Sequence, residues 1–347
     1  MLTDLTPDQR RAVTHPGGPL LVLAGAGSGK TRVLCRRLAW LVAGGAEPGE
    51  VLALTFSAKA AEELRERAEA LLPSHETLRV MTFHAYAADL VRTLGADVPG
   101  AEPLRPVGSE ERALLLLDRI DELGLVESDL RPDPVRVVTD LVRRMDRCRD
   151  ELVTAEAFGA WAQARLDASG SRGDAWRARR DLEFARVFAL HDAWLAEGGM
   201  EDFGRMIARA LDLLRTHADL LARARTGARH LLVDEFQDTN HAQAELLHLA
   251  AGGGESLVVV GDDDQGIYRF RGASTKNIAD FRERFPGVGV VRLELNHRST
   301  QAVLDAAHAV VAPVPGREPK RLVALPGAAG PPPELWDAPD PDGQARA

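Results

Sequence analysis

The stretch LLVLAGAGSGKTRV, residues 20–33, runs an apolar strand pattern into a glycine-rich turn and then into a helical pattern that opens on Lys30 and Thr31. In that order glycine backbone N–H groups can wrap phosphate oxygens, Lys30 can reach the β- and γ-phosphates, and the Thr31 hydroxyl can ligate Mg²⁺. The residues read as the cradle are Ala24, Gly25, Ala26, Gly27, Ser28, Gly29, Lys30 and Thr31. The strict pattern has glycine six residues before the lysine, and Ala24 stands there instead. The competing reading, a glycine-rich turn with a surface lysine, is disfavoured because strand, glycines, Lys-Thr and helix all coincide.

A partner for the cradle lies downstream in HLLVDEFQDT, residues 230–239, a hydrophobic strand ending in Asp234 and Glu235. An aspartate at the carboxyl end of a parallel strand can hold Mg²⁺ beside the phosphate loop, and an adjacent glutamate can orient or deprotonate the attacking water. Paired acids at a strand end are often solvated caps; with the loop they read as an NTPase using ATP and Mg²⁺.

Outward from these motifs, short β-rich runs (PLLVLAG, EVLALTF, TLRVMTF) alternate with polar-faced helical segments, the rhythm of βαβ units with buried parallel strands. From about 108 to 228 the texture becomes helical, as in EERALLLLDRIDELGL and DLEFARVFALHDAWLAEG. Strand texture returns in ARHLLVDE, SLVVVGD and GVVRLELN. The fold class expected is α/β, a P-loop NTPase parallel sheet flanked by helices and interrupted by an inserted all-helical subdomain. Past about 312 the chain turns to Pro, Gly and Asp and reads as linker or frayed end. Trp161, Trp176 and Trp194 are expected in the core.

The 347 residues suit about two domains, and 45% hydrophobic with 27% charged residues is the balance of a soluble globular protein. No apolar run is long enough to span a bilayer and the N-terminus has no signal-like stretch, so no membrane association and a cytoplasmic location are expected. Cys35 and Cys148 are far apart, which supports neither a disulfide framework nor a zinc site. The net charge of −9 argues mildly against a nucleic-acid coat, yet binding depends on local patches.

The wording and order of seven motifs, LTPDQRRAV, AGAGSGKTRV, LALTFSAKAAEELRER, MTFHAYAADLVR, LLVDEFQDTN, GDDDQGIYRFRGA and LELNHRST, resemble the UvrD/Rep/PcrA-type superfamily 1 DNA helicases over residues 1 to about 305. The resemblance implies a RecA-like motor sheet, ATP hydrolysis, 3′-to-5′ polarity, and single-stranded and forked DNA as substrates in repair, replication or recombination. It places adenine recognition on Gln9, puts Arg32 along the nucleotide, and gives Arg298 the γ-phosphate. It makes Gln265 the link between that phosphate and DNA. DNA-facing residues would be Thr55, Phe56, Thr82, Phe83, His84, Tyr268, Phe270 and Arg271. On the residues alone Phe56 and Phe83 read as core packing at strand ends, although aromatics interleaved with cations suit base stacking and phosphate neutralisation.

Two substitutions depart from the family's usual pattern. His297 stands where tyrosine stacks on adenine, leaving a smaller stacking face and a group that can titrate, and Phe270 stands where relatives often carry tryptophan. The three aspartates of GDDDQ are expected to cap the strand end and shape the turn rather than cage a metal. The organisation expected is a motor domain in two parts, 1–107 and 196–286, a helical insert at 108–195, and at 287–347 the start of a second motor domain with a Pro/Gly-rich end. Much of that second domain is missing from the pattern, so the chain alone is expected to be an incomplete motor. A non-enzymatic module that grips single strands or a partner protein, and a P-loop signalling switch, are the alternatives.

Overall fold

The computed structural model describes residues 2–72, 78–129, 131, 133–266 and 277–334. Helix α1 (Pro7–Val13) leads through β1 (Gly18–Ala24) to α2 (Lys30–Ala43), then β2 (Val51–Thr55), α3 (Ala58–Glu69), β3 (Arg79–Thr82) and α4 (Phe83–Leu94). A short β4 (Arg105–Val107) opens the helical block of α5 (Ser109–Asp118), α6 (Pro134–Asp150), α7 (Ala155–Asp167) and α8 (Arg172–Glu197), and β5 (Met200–Asp202) closes it. The chain continues through α9 (Phe203–Thr216), α10 (Ala218–Thr226), β6 (His230–Val233), α11 (His241–Ala251), β7 (Ser256–Gly261) and α12 (Asn277–Arg284). It ends in β8 (Gly289–Leu293), β9 (Leu295–Asn296), α13 (Gln301–Val311) and β10 (Val323–Ala324).

Six strands form one parallel sheet in the order β3-β2-β6-β7-β1-β8. Successive side chains of a strand point to opposite faces, and both faces here are covered. Leu21, Leu23, Leu52, Leu54, Leu231, Val233, Leu257 and Val259 enter one core with α4, α9 and α11. Their neighbours Leu20, Val22, Val51, Ala53, Leu232, Val258 and Val260 enter a second core with α2 and α3. Double burial explains why these strands read as continuous apolar runs rather than alternating ones. Gly289–Leu293, grouped by the sequence reading with a second motor domain, is the edge strand of this same sheet, paired with β1.

The helical block has its own core of Leu116, Val138, Met145, Phe184, Phe188 and Trp194. Its two ends meet where β4 pairs in parallel with β5. Trp194 is buried, but Trp161 and Trp176 are 49% and 42% exposed, against the expectation for all three. Both lie outside the packed seam, and Arg165 and Arg180 cover their rings at 4.7 and 4.9 Å. Both cysteines are free and buried.

The end past residue 312 also differs from expectation. Val323–Ala324 pairs in parallel with β9 and Lys320 is buried. β9 and β10 form a two-stranded sheet separate from the six-stranded one. No helix among the described residues is long and apolar enough to cross a membrane.

The helical block also touches the parallel-sheet layer through Asp150, whose carboxylate accepts a 2.6 Å hydrogen bond from Asn240 Nδ2 at the start of α11. Burial, with Asp146 adding repulsion, pushes the Asp150 carboxyl up to about 7. A carboxyl raised on folding favours the native state fully below its unfolded value near 4 and loses that contribution as pH rises through about 7. Asp150→Asn keeps the acceptor and removes the charge. Chemical denaturation is expected to show the variant more stable by about 1–3 kcal/mol at pH 8.5, with the gain gone near pH 4; an equal gain at both values would contradict this.

Candidate active site

The phosphate loop leaves the carboxyl end of β1, and its shape is set by backbone. Gly27 and Gly29 sit at φ +72° and +92°, where a side chain strains the chain. Ala24 keeps extended geometry as the last residue of β1 and is fully buried, so alanine suffices where the strict pattern has glycine. Helix α2 begins at Lys30 on an N-cap glycine that offers no side-chain cap, which leaves its first N–H groups to a ligand.

In front of that helix end lies a cleft of about 540 Å³. Ala26, Gly27, Gly29, Lys30, Thr31 and Arg32 line one side, and Glu235, Gln265, His297, Arg298 and Arg67 the other. Its wall carries four cations, Lys30, Arg32, Arg67 and Arg298, against one acid, Glu235, which suits a polyanion. Lys30 is the centre. Its ammonium lies 2.6 Å from Glu235 Oε2 and 3.2 Å from Gln265 Oε1, so one side chain links the ends of β1, β6 and β7.

Glu235 sits at φ +47°, a conformation non-glycine residues rarely hold, and such outliers gather at functional sites. Gln237 Nε2 donates to the same Glu235 oxygen at 2.7 Å while its Oε1 accepts the Asp262 amide at 2.9 Å. Asp234 is buried beside it. Burial and the Glu235 charge push its carboxyl up to about 6, with Lys30 opposing. Asp234 and the Thr31 hydroxyl are hard oxygen donors that fit Mg²⁺, and a dication there would relieve the cost of the buried acid.

Gln9 is buried behind the loop rather than on the cleft wall. Its Oε1 accepts the Thr6 amide and its Nε2 donates to the Ser28 carbonyl at 3.0 Å, so it braces the loop from α1. Ser28 turns inward onto the Gly25 carbonyl. Arg32 pairs with Asp4.

Three residues at this site escaped sequence reasoning. Asn296 donates to the Ala26 carbonyl at 2.6 Å and accepts the amides of Arg298 and Ser299, which fixes the loop carrying His297 and Arg298. Gln237 and Arg67 are the others. All three stand inside recognised motifs, so proximity to motif residues was the available signal.

Five of the residues expected to face DNA lie at the same edge of the sheet. Thr55 ends β2 with Phe56 just after it, and Thr82 ends its neighbour β3, with Phe83 and His84 opening α4. Phe56 is 37% exposed and His84 is half-buried, edge-on to the exposed Phe203 ring at 5.6 Å. Phe83 is buried in the core instead, as the residues alone suggest. Thr82 caps α4 through the Ala85 amide, and the buried Thr55 hydroxyl finds no hydrogen-bond partner among the described residues. Tyr268, Phe270 and Arg271 lie outside the described residues.

Residues 5–286 match the model of the UvrD/REP helicase N-terminal domain. The chain is 36% identical over 336 residues to the ATP-dependent DNA helicase UvrD1 of Mycobacterium leprae, covering 93% of this chain and 41% of the relative. It is 37% identical to the ATP-dependent DNA helicase PcrA of Leuconostoc citreum over 90% of this chain and 40% of that protein. For the ATP-dependent DNA helicase Rep of Escherichia coli the identity is 36%, over 92% and 45%. The chain thus spans about two-fifths of the length of these relatives.

Gly29→Ala would set a Cβ 2.7 Å from Gln9 Nε2 at a strained φ. Urea denaturation is expected to show a loss of about 1–3 kcal/mol with an unchanged slope. Stability equal to wild type would contradict this account of the loop.

Proposed function

The chain belongs to the UvrD/REP helicase family, and from that premise we propose that it is the ATP-binding part of an ATP-dependent DNA helicase that moves 3′ to 5′ on single-stranded DNA. The observation that carries this reading is the placement of Lys30 between Glu235 and Gln265 on the sheet edge that also ends in Phe56 and His84. A signalling switch would leave the aromatic end of that edge without work. The motor domain we propose is the six-stranded sheet with its helices, the insert lies between β4 and β5, and a second motor domain begins beyond Leu293.

The triphosphate of ATP would occupy the cleft before α2, with backbone N–H groups of the loop donating to its oxygens. Lys30 would exchange Glu235 for phosphate, since a phosphate of higher charge out-competes one carboxylate for the ammonium. Glu235 would then be released to take a proton from the attacking water. Mg²⁺, held by Thr31 and Asp234, would neutralise phosphate charge when bound. Arg298 and Arg67 would stabilise charge on the terminal phosphate, and His297 and Arg32 would flank the base. Gln265 would pass the state of that phosphate to Tyr268, Phe270 and Arg271. Single-stranded and forked DNA, read by stacking and backbone charge, would be the substrates, in the cytoplasm.

The 347-residue chain is expected to bind a fluorescent ATP analogue with Mg²⁺, and Lys30→Ala to weaken that binding at least about tenfold, the scale of a lost charge-assisted contact. Oligothymidine binding, followed by anisotropy, is expected to weaken steeply with salt. Equal nucleotide affinity in the two chains would sink the nucleotide site. Oligothymidine binding with no nucleotide binding would favour a non-enzymatic module.

A further inference from the structure

Arg317–Ala324 crosses the carboxyl ends of β7 and β1, over both the aspartate turn and the phosphate loop. The Lys320 ammonium, its side chain 2% exposed, lies 2.8 Å from Asp262 and 3.0 Å from Asp264, and also pairs with Asp263. Arg317 holds Asp264 with two hydrogen bonds of 2.7 and 2.9 Å, and the Glu318 amide donates to Asp263 at 2.6 Å. Leu322 closes over the loop so tightly that a Cβ on Gly25 would fall 2.5 Å from it.

These contacts do not end at the turn. The second oxygen of Asp262 accepts the Gln265 amide nitrogen, and the Gln265 carbonyl oxygen accepts Lys30 at 3.2 Å. A carboxylate only accepts hydrogen bonds, so an ionised Asp262 forces the NH₂ end of Gln265 toward itself and the oxygen end toward Lys30. Asp262 stands buried beside two more carboxylates, and a buried charge without its counterion is strongly disfavoured. Lys320 is that counterion. Without it nothing offsets the Asp262 charge at this position, and the carboxylate that holds the Gln265 NH₂ end loses its anchor.

We propose that Lys320 and Asp262 are positioning residues of the nucleotide site, which hold the Gln265 carboxamide with its oxygen toward Lys30, where it accepts from the ammonium that meets the terminal phosphate and keeps it aimed there. This rests on the nucleotide reading above. It assigns a role in the site to a segment whose composition reads as linker.

The test is a cycle in the full chain, with Mg²⁺ and either ADP or a non-hydrolysable ATP analogue, read by calorimetry. Lys320→Met is expected to weaken the ATP analogue about tenfold and ADP less than about twofold, and to cause no further loss in a Gln265→Ala background. A merely structural ion pair would weaken both nucleotides alike and would do so with or without Gln265; that result overturns the inference. Should Lys320→Met not fold by circular dichroism, Asp262→Asn carries the test, since it leaves Lys320 two partners; the same pattern supports the proposal and additivity with Gln265→Ala overturns it. A wild-type chain that binds neither nucleotide overturns the nucleotide reading and the inference with it. Binding with additive losses overturns the inference alone.

Discussion

A single ammonium group, that of Lys30, bridges Glu235 and Gln265 and so joins the carboxyl ends of three strands that are not consecutive in the chain. Most of the other features serve to keep that group in place. Gln9 and Asn296 brace the loop that carries it from opposite sides, and Gln237 ties its acidic partner to β7. The arrangement is electrostatically expectant. A cation held by one carboxylate, an aspartate kept out of water, and a wall richer in cations than acids together suit a polyanion.

The strand order gives the site its reach. Because β1, β7, β6, β2 and β3 lie side by side, their carboxyl ends run from phosphate loop to acidic pair to the aromatic residues Phe56 and His84. Ligands of open parallel sheets bind at this edge, where successive loops diverge. Here one edge holds both the cation-lined cleft and the exposed Phe56 ring.

Much of this was legible in the chain. Doubly buried strands make apolar runs that need no alignment to see, and the run ending in Ala24 followed by glycines and Lys30–Thr31 admits few other structures. Asp234 and Glu235 were readable for the same reason, as acids stopping an apolar strand. What escaped depends on partners far away in sequence. Asn296 stands inside a recognised motif, but nothing local says that it braces a loop 270 residues earlier. The buried ammonium of Lys320 needs three aspartates more than fifty residues before it, so its segment resembled linker by composition alone. Trp161 and Trp176 were assigned to the core by ring size, whereas covering arginines let them remain outside. Gly289–Leu293, which the chain's texture placed past residue 287, pairs with β1 in the six-stranded sheet, a pairing set by a strand far earlier in the chain and not by its own composition.

The central claim is that Lys30 is parked on Glu235 and leaves it when phosphate arrives. A crystal structure of the chain with Mg²⁺ and a non-hydrolysable ATP analogue tests it directly. The account predicts the Lys30 ammonium on the β- and γ-phosphates, Glu235 released from it, and the Gln265 oxygen still accepting from that ammonium. A nucleotide bound elsewhere, or bound in this cleft with Lys30 still at 2.6 Å from Glu235, would contradict it.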